Sequence, residues 1–103
     1  MVCKVVVARV VKYYFKQGMR ANGFTEIDLA VNKRARVARG FRGYISLFSY
    51  DEDNVATIIT LWQDAESYQD SEAVFNSDVE KFMVFLEKKP EVGYHRVDSV
   101  ALV

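Results

Sequence analysis

GFRGYISLFSYDEDNVATIITLW, residues 40–62, decides the fold. Before its acidic centre, Phe41, Ile45 and Leu47 alternate with Tyr44, Phe48 and Tyr50. After it, Val55, Thr57, Ile59 and Leu61 alternate with Ala56, Ile58, Thr60 and Trp62. A strand with one solvated face alternates apolar with polar residues. Here both parities are apolar, which predicts two paired strands in a sheet covered on both sides. Asp51-Glu52-Asp53-Asn54 supplies the reversal, because Asp and Asn accept turn geometry and four polar residues interrupt burial.

Working outward, residues 25–39 read as a first helix. Thr25 stands as its N-cap, with Glu26 and Asp28 in the positive first turn. Ile27, Ala30, Val31, Ala35 and Ala38 form a narrow apolar stripe, basic residues fill the last turns, and Gly40 closes the end. Asn22-Gly23 marks a turn before it. Residues 2–11, VCKVVVARVV, read as the first strand, continued by Tyr13-Tyr14-Phe15. Downstream, Asp64 caps a short helix carrying Ala65, Tyr68 and Phe75 inward. Ser77 and Glu80 then form a capping box that starts another, with Val79, Phe82, Met83 and Leu86 on its apolar face. Pro90 stops it, and residues 92–103 form a last strand.

The order is βαββαβ: an α+β, ferredoxin-like domain with an antiparallel four-stranded sheet, occupying residues 1–103 as one unit. Two helices cover one face of such a sheet. The apolar hairpin leaves the other face in need of a partner, and a homodimer joined sheet to sheet meets that need through two-fold self-complementarity.

Half of the 103 residues are hydrophobic and 14% are aromatic, a surplus that points to burial against another subunit or around an apolar ligand. The net charge is zero, so no nucleic-acid or membrane partner is expected. The charges are segregated, however: residues 1–50 hold ten Lys/Arg against two acids, and residues 51–103 hold four against twelve. Interleaving of the halves in one sheet would offset them. The rival reading, a basic patch of Lys33, Arg34, Arg36, Arg39 and Arg42 for an anion, places those cations at a helix end that favours them anyway. Cys3 is the single cysteine, which predicts a cytoplasmic protein without an intrachain disulfide. The run Val5–Ala8 is far too short to span a membrane.

Three stretches, Gly40-Phe41-Arg42-Gly43-Tyr44, Thr60-Leu61-Trp62-Gln63-Asp64-Ala65-Glu66-Ser67-Tyr68 and Asn76-Ser77-Asp78-Val79, resemble the antibiotic biosynthesis monooxygenase domain, and the likeness extends over residues 2–103. The resemblance implies a dimeric α+β barrel. It also implies a small cofactor-independent monooxygenase acting on an aromatic, quinol-like molecule, with no cofactor and no metal. Trp62 and Tyr68 fall on cavity-lining positions of the family's polyketide oxygenases, whereas a polar Asn of that branch falls on Ile58. The haem-degrading branch would place its functional residues near Ala8 or Arg9, Ser71 and Val84, where this chain has none of them, so haem degradation is not expected.

Trp62, Tyr68 and Tyr44 are thus the candidate substrate-binding residues, although Trp62 also suits a core anchor. His95 is the default catalytic base, being the one side chain whose ordinary pKa lies near neutrality; a surface or interface role competes with that. Tyr13, Tyr14, Tyr50 and Tyr94 are further candidates for an aromatic pocket. Arg9 and Arg42 either hold an anionic oxygen or pair with acids of the other half. Asp51-Glu52-Asp53 lacks the ligand count of a calcium loop. Two non-enzymatic readings stand beside the oxygenase: a ligand-binding or stress-related dimer using the same cavity, and an assembly domain with no cavity. A polar group pointing into the cavity would favour the oxygenase, whereas a purely apolar lining would favour binding or plain structure.

Overall fold

Val7–Tyr14 (β1) takes an interior place in the sheet, in keeping with its valines and tyrosines. This computed structural model describes residues 6–101, without the side chains of 70, 71 and 73–78. Expectations for residues 2–5 (Cys3 included), for the side chains of Ser71, Phe75 and Ser77, and for residues 102–103 lie outside the described residues.

The order in sequence is β1, α1 (Arg20–Arg36), β2 (Phe41–Phe48), β3 (Val55–Trp62), α2 (Ala65–Phe82), a 3₁₀ turn (Met83–Phe85) and β4 (Glu91–Arg96). The sheet runs β2-β3-β1-β4, antiparallel throughout. The basic first half and acidic second half therefore interleave, as expected. The ion pair from Arg9 to Glu72, with Nε to Oε1 at 2.7 Å, joins the two halves.

One parity of the central strands, Val11, Tyr13, Ala56, Ile58, Thr60 and Trp62, is buried beneath the helices. Ile27, Val31 and Ala35 of α1 and Phe82 of α2 close over them. The other parity forms an open face that carries Val10, Ile59, Leu61, Ile45 and Leu47; the last two are 39% and 46% exposed. The molecule measures 50 × 31 × 19 Å, thin enough for one sheet and one helical layer.

Five expectations change in detail. A register shift between Phe41 and Gly43 puts Phe41 on the helix side with Tyr44 and Phe48, opposite in parity to Ile45 and Leu47. Helix α1 begins five residues early, at Arg20. Thr25 is inside it, its Oγ1 donating to the Ala21 carbonyl at 2.8 Å, and does not cap it. Gly23 also lies within the helix, because α1 crosses Phe15 and Phe85 there: a Cβ would stand 2.7 Å from the Phe85 Cβ. The two helices expected after Trp62 are one, Ala65–Phe82, and the final strand ends at Arg96.

Asp64 does cap α2: its Oδ1 accepts from the Ser67 N–H and the Ser67 Oγ, both at 2.9 Å. Gly40 is required in the turn that follows α1. Its φ is 81°, and an added Cβ would collide with the Ser67 side chain.

Candidate functional site

Between the covered face of the sheet and α2 lies a cavity of about 360 Å3. That volume falls at the lower end of small-molecule sites, which run from about 300 to 1,000 Å3. Arg9, Val11 and Tyr13 of β1 and Val92 of β4 form its floor. Val31 of α1 and Val79 and Phe82 of α2 wall it, and Glu80, Lys89 and Pro90 complete the lining.

The polar members follow from strand parity. Arg9 and Tyr13 stand in phase with Val11, so all three side chains point under the helices; Arg9 and Tyr13 are each 5% exposed. A buried guanidinium requires a counter-charge. Glu72, one turn into α2 beyond Tyr68, provides it. The register places Tyr94 beside Arg9, and the Tyr94 hydroxyl also donates to Glu72 Oε1. Tyr68 stacks on Tyr94, ring centroids 4.5 Å apart and planes 20° from parallel. Arg9 alone of this cluster lines the cavity; Glu72, Tyr94 and Tyr68 pack beside it, outside the lining.

On the far side of β3, Tyr44 donates its hydroxyl to Asp28 Oδ1 of α1. Burial, and then that bond, push the Tyr44 phenol up. Burial also pushes Tyr94 up, with the Glu72 bond adding to it and Arg9 opposing it. Tyr13 is pushed up to about 12 by burial, against the pull of the nearby Arg9 charge. All three phenols keep their protons at neutral pH, and Tyr44 and Tyr94 donate hydrogen bonds to carboxylates.

Of the residues singled out in the sequence, the structure brings Tyr68 into the cluster and sets Tyr44 on the same covered face. Trp62 is fully buried, edge-on to Phe41 with centroids 5.8 Å apart, and its Nε1 donates to Thr60 Oγ1 at 2.9 Å. It is not among the residues lining the cavity. His95 pairs with Ala8 at the parity opposite Tyr94, so it is exposed on the open face with the sheet between it and the cavity. Tyr14 is on that same face, the Lys88 ammonium 4.0 Å from its ring centroid, and Tyr50 is fully exposed. Arg42 donates to Gln63 Oε1 at 2.9 Å. Glu72 went unnoticed in the sequence; the signal was Arg9 itself, a charge at a core parity of a valine strand.

No protein-family model matches the sequence, and neither does any curated protein. Solved structures do. SnoaB, a cofactor-independent oxygenase from Streptomyces nogalater, aligns with a TM-score of 0.75 at 15% identity, over 93% of this chain and 96% of its own. A candidate antibiotic biosynthesis monooxygenase from Bordetella bronchiseptica gives 0.74 at 14%, over 91% and 98%. A protein of unknown function from Nitrosomonas europaea gives 0.79 at 12%, over 99% and 98%. The chain is thus similar in fold to antibiotic biosynthesis monooxygenase-like α+β proteins, end to end. No helix among the described residues is long and apolar enough to cross a membrane.

Proposed function

We propose that the protein is a small cofactor-independent monooxygenase acting on an aromatic, quinol-like molecule held between sheet and α2. The carrying observation is the cavity itself, a mainly apolar cleft with buried Arg9 and Tyr13 in its floor and the charged Glu80 and Lys89 also in its lining. Oxygenation of this kind needs an electron-rich anion in a dry pocket that dioxygen can enter. Donors fixed beside an apolar wall, the Arg9 guanidinium in its ion pair with Glu72 and the Tyr13 hydroxyl, would stabilise such an anion without reorganisation. In the balanced reaction a ring CH2, the keto tautomer of a quinol, becomes C=O. One atom of dioxygen enters that carbonyl, and the other leaves as water with the two hydrogens; the ring supplies all four electrons.

In this reading Tyr68 and Tyr94 pack around Glu72 and so hold the Arg9 pair in place, Tyr44 acts through Asp28, and Trp62 anchors the end of β3. A proton-transfer role for His95 would have to be exercised from the open face. One observation favours the second reading, a non-catalytic binding protein: Glu72 and Asp28, the acids nearest the buried phenols, each already accept hydrogen bonds. Dioxygen uptake with fused-ring hydroquinones separates the two. The oxygenase predicts uptake with one mole of ketone per mole of dioxygen, abolished in Arg9→Gln. Binding without uptake selects the carrier.

The proposal includes a homodimer that covers the apolar open face. It also includes a cytoplasmic location, in keeping with a single cysteine.

A further inference from the structure

Tyr13 differs from the other inward-facing tyrosines. Tyr44 and Tyr94 each give their hydroxyl to a carboxylate. Tyr13 packs its ring against Phe15, centroids 6.3 Å apart, yet among the described residues its hydroxyl has no hydrogen-bond partner. No enclosed side-chain oxygen or nitrogen there lacks a partner. The Tyr13 hydroxyl is therefore not sealed in protein, although the residue is only 5% exposed, and Tyr13 is one of the residues that line the cavity. A buried donor left unbonded is costly, so an occupant that supplies an acceptor is favoured over one that does not.

We infer that Tyr13 is a ligand-binding residue, donating a hydrogen bond to a carbonyl or phenolate oxygen of a fused-ring molecule in the cavity. This rests on the reading of the cavity as a small-molecule site, and it narrows that site's ligand. Burial keeps the phenol protonated at neutral pH, so it presents a donor and selects an acceptor. Arg9, which lines the cavity near Tyr13 as an ion pair with Glu72, adds N–H donors and no acceptor, so the oxygen favoured there is electron-rich. An all-hydrocarbon ring would fill the volume and leave the hydroxyl unbonded.

The test compares 1-tetralone, which carries one carbonyl acceptor, with tetralin, the same frame without the oxygen, by titration calorimetry. The native protein should bind tetralone about tenfold more tightly, the equivalent of about 1.4 kcal/mol. Tyr13→Phe should bind the two alike. A preference that survives in Tyr13→Phe, or equal binding by the native protein, overturns the role of Tyr13 and leaves the cavity reading intact. If neither compound binds the native protein, both fall. The unliganded variant gives an independent check: deleting a hydroxyl with no protein partner should leave the unfolding midpoint unchanged or higher. A clear drop would show that the hydroxyl is bonded within the fold, which also overturns the inference.

Discussion

Arg9, Tyr13 and Trp62 lie on the covered face for the same reason, strand parity, yet they do different work there. Trp62 is sealed on all sides, with its one polar atom bonded to Thr60. Trp62→Ala should cost about 3–5 kcal/mol in chemical denaturation, the range for truncating a fully packed aromatic; a smaller loss would place one side of the ring against a void. The buried phenols set an alkaline limit. Below pH 10 the folded and unfolded chains both keep Tyr13 protonated, so its contribution is constant. Above pH 10 the unfolded chain releases that proton first, and stability falls until the folded group titrates near pH 12. Urea midpoints should be flat between pH 8 and pH 9.5 and decline beyond pH 10, less steeply in Tyr13→Phe. Much at this scale was legible. The pairing of Arg9 with an acid of the other half was one of the two readings the sequence offered. The identity of the acid was not legible, because it depends on where α2 crosses β1. That Tyr13 and not Tyr14 or Tyr50 meets the cavity was a matter of parity, and the unknown register of β1 left it open.

At the scale of elements, the hairpin of β2 and β3 could be read almost to the residue, since its alternation and acidic turn agree. The Phe41–Gly43 bulge could not, because a register shift leaves no mark on composition. Helix α1 was misplaced by Gly23. Glycine is a turn signal when backbone freedom explains it, but here it serves close packing, with Phe85 against the helix backbone. A substitution separates the two explanations. In an exposed helix Gly→Ala stabilises by roughly 0.5–1 kcal/mol. At this crossing, Gly23→Ala should instead destabilise by about 1–3 kcal/mol, as overpacking does. A gain in thermal stability would mean that α1 and the Phe85 turn are not in contact. Ser77 misled in a similar way: a cap-like Ser followed by Glu three residues later can also occur within a continuing helix, where the backbone donors already have partners.

For the whole molecule, the open face is the largest unexplained surface. Ile45 and Leu47 are partly exposed beside Val10, Ile59 and Leu61, and two helices cannot reach them. Sedimentation equilibrium at low micromolar concentration should return twice the chain mass, and Leu47→Glu should return the monomer, since a charge in a self-complementary apolar contact meets its own copy. A native monomer would leave the proposed dimer without support. The cavity lies on the covered face of the sheet, opposite the face that the proposed dimer would bury. The fold alone does not supply a reaction, and the account stands on what occupies the space above Arg9 and Tyr13. The most direct measurement is a crystal structure of the protein soaked with 1-naphthol. The account predicts the ring between β1 and α2, against Val11 and Phe82, with its oxygen within hydrogen-bond distance of the Tyr13 hydroxyl. A ring bound on the open face beside His95, with the covered cavity empty, would contradict it.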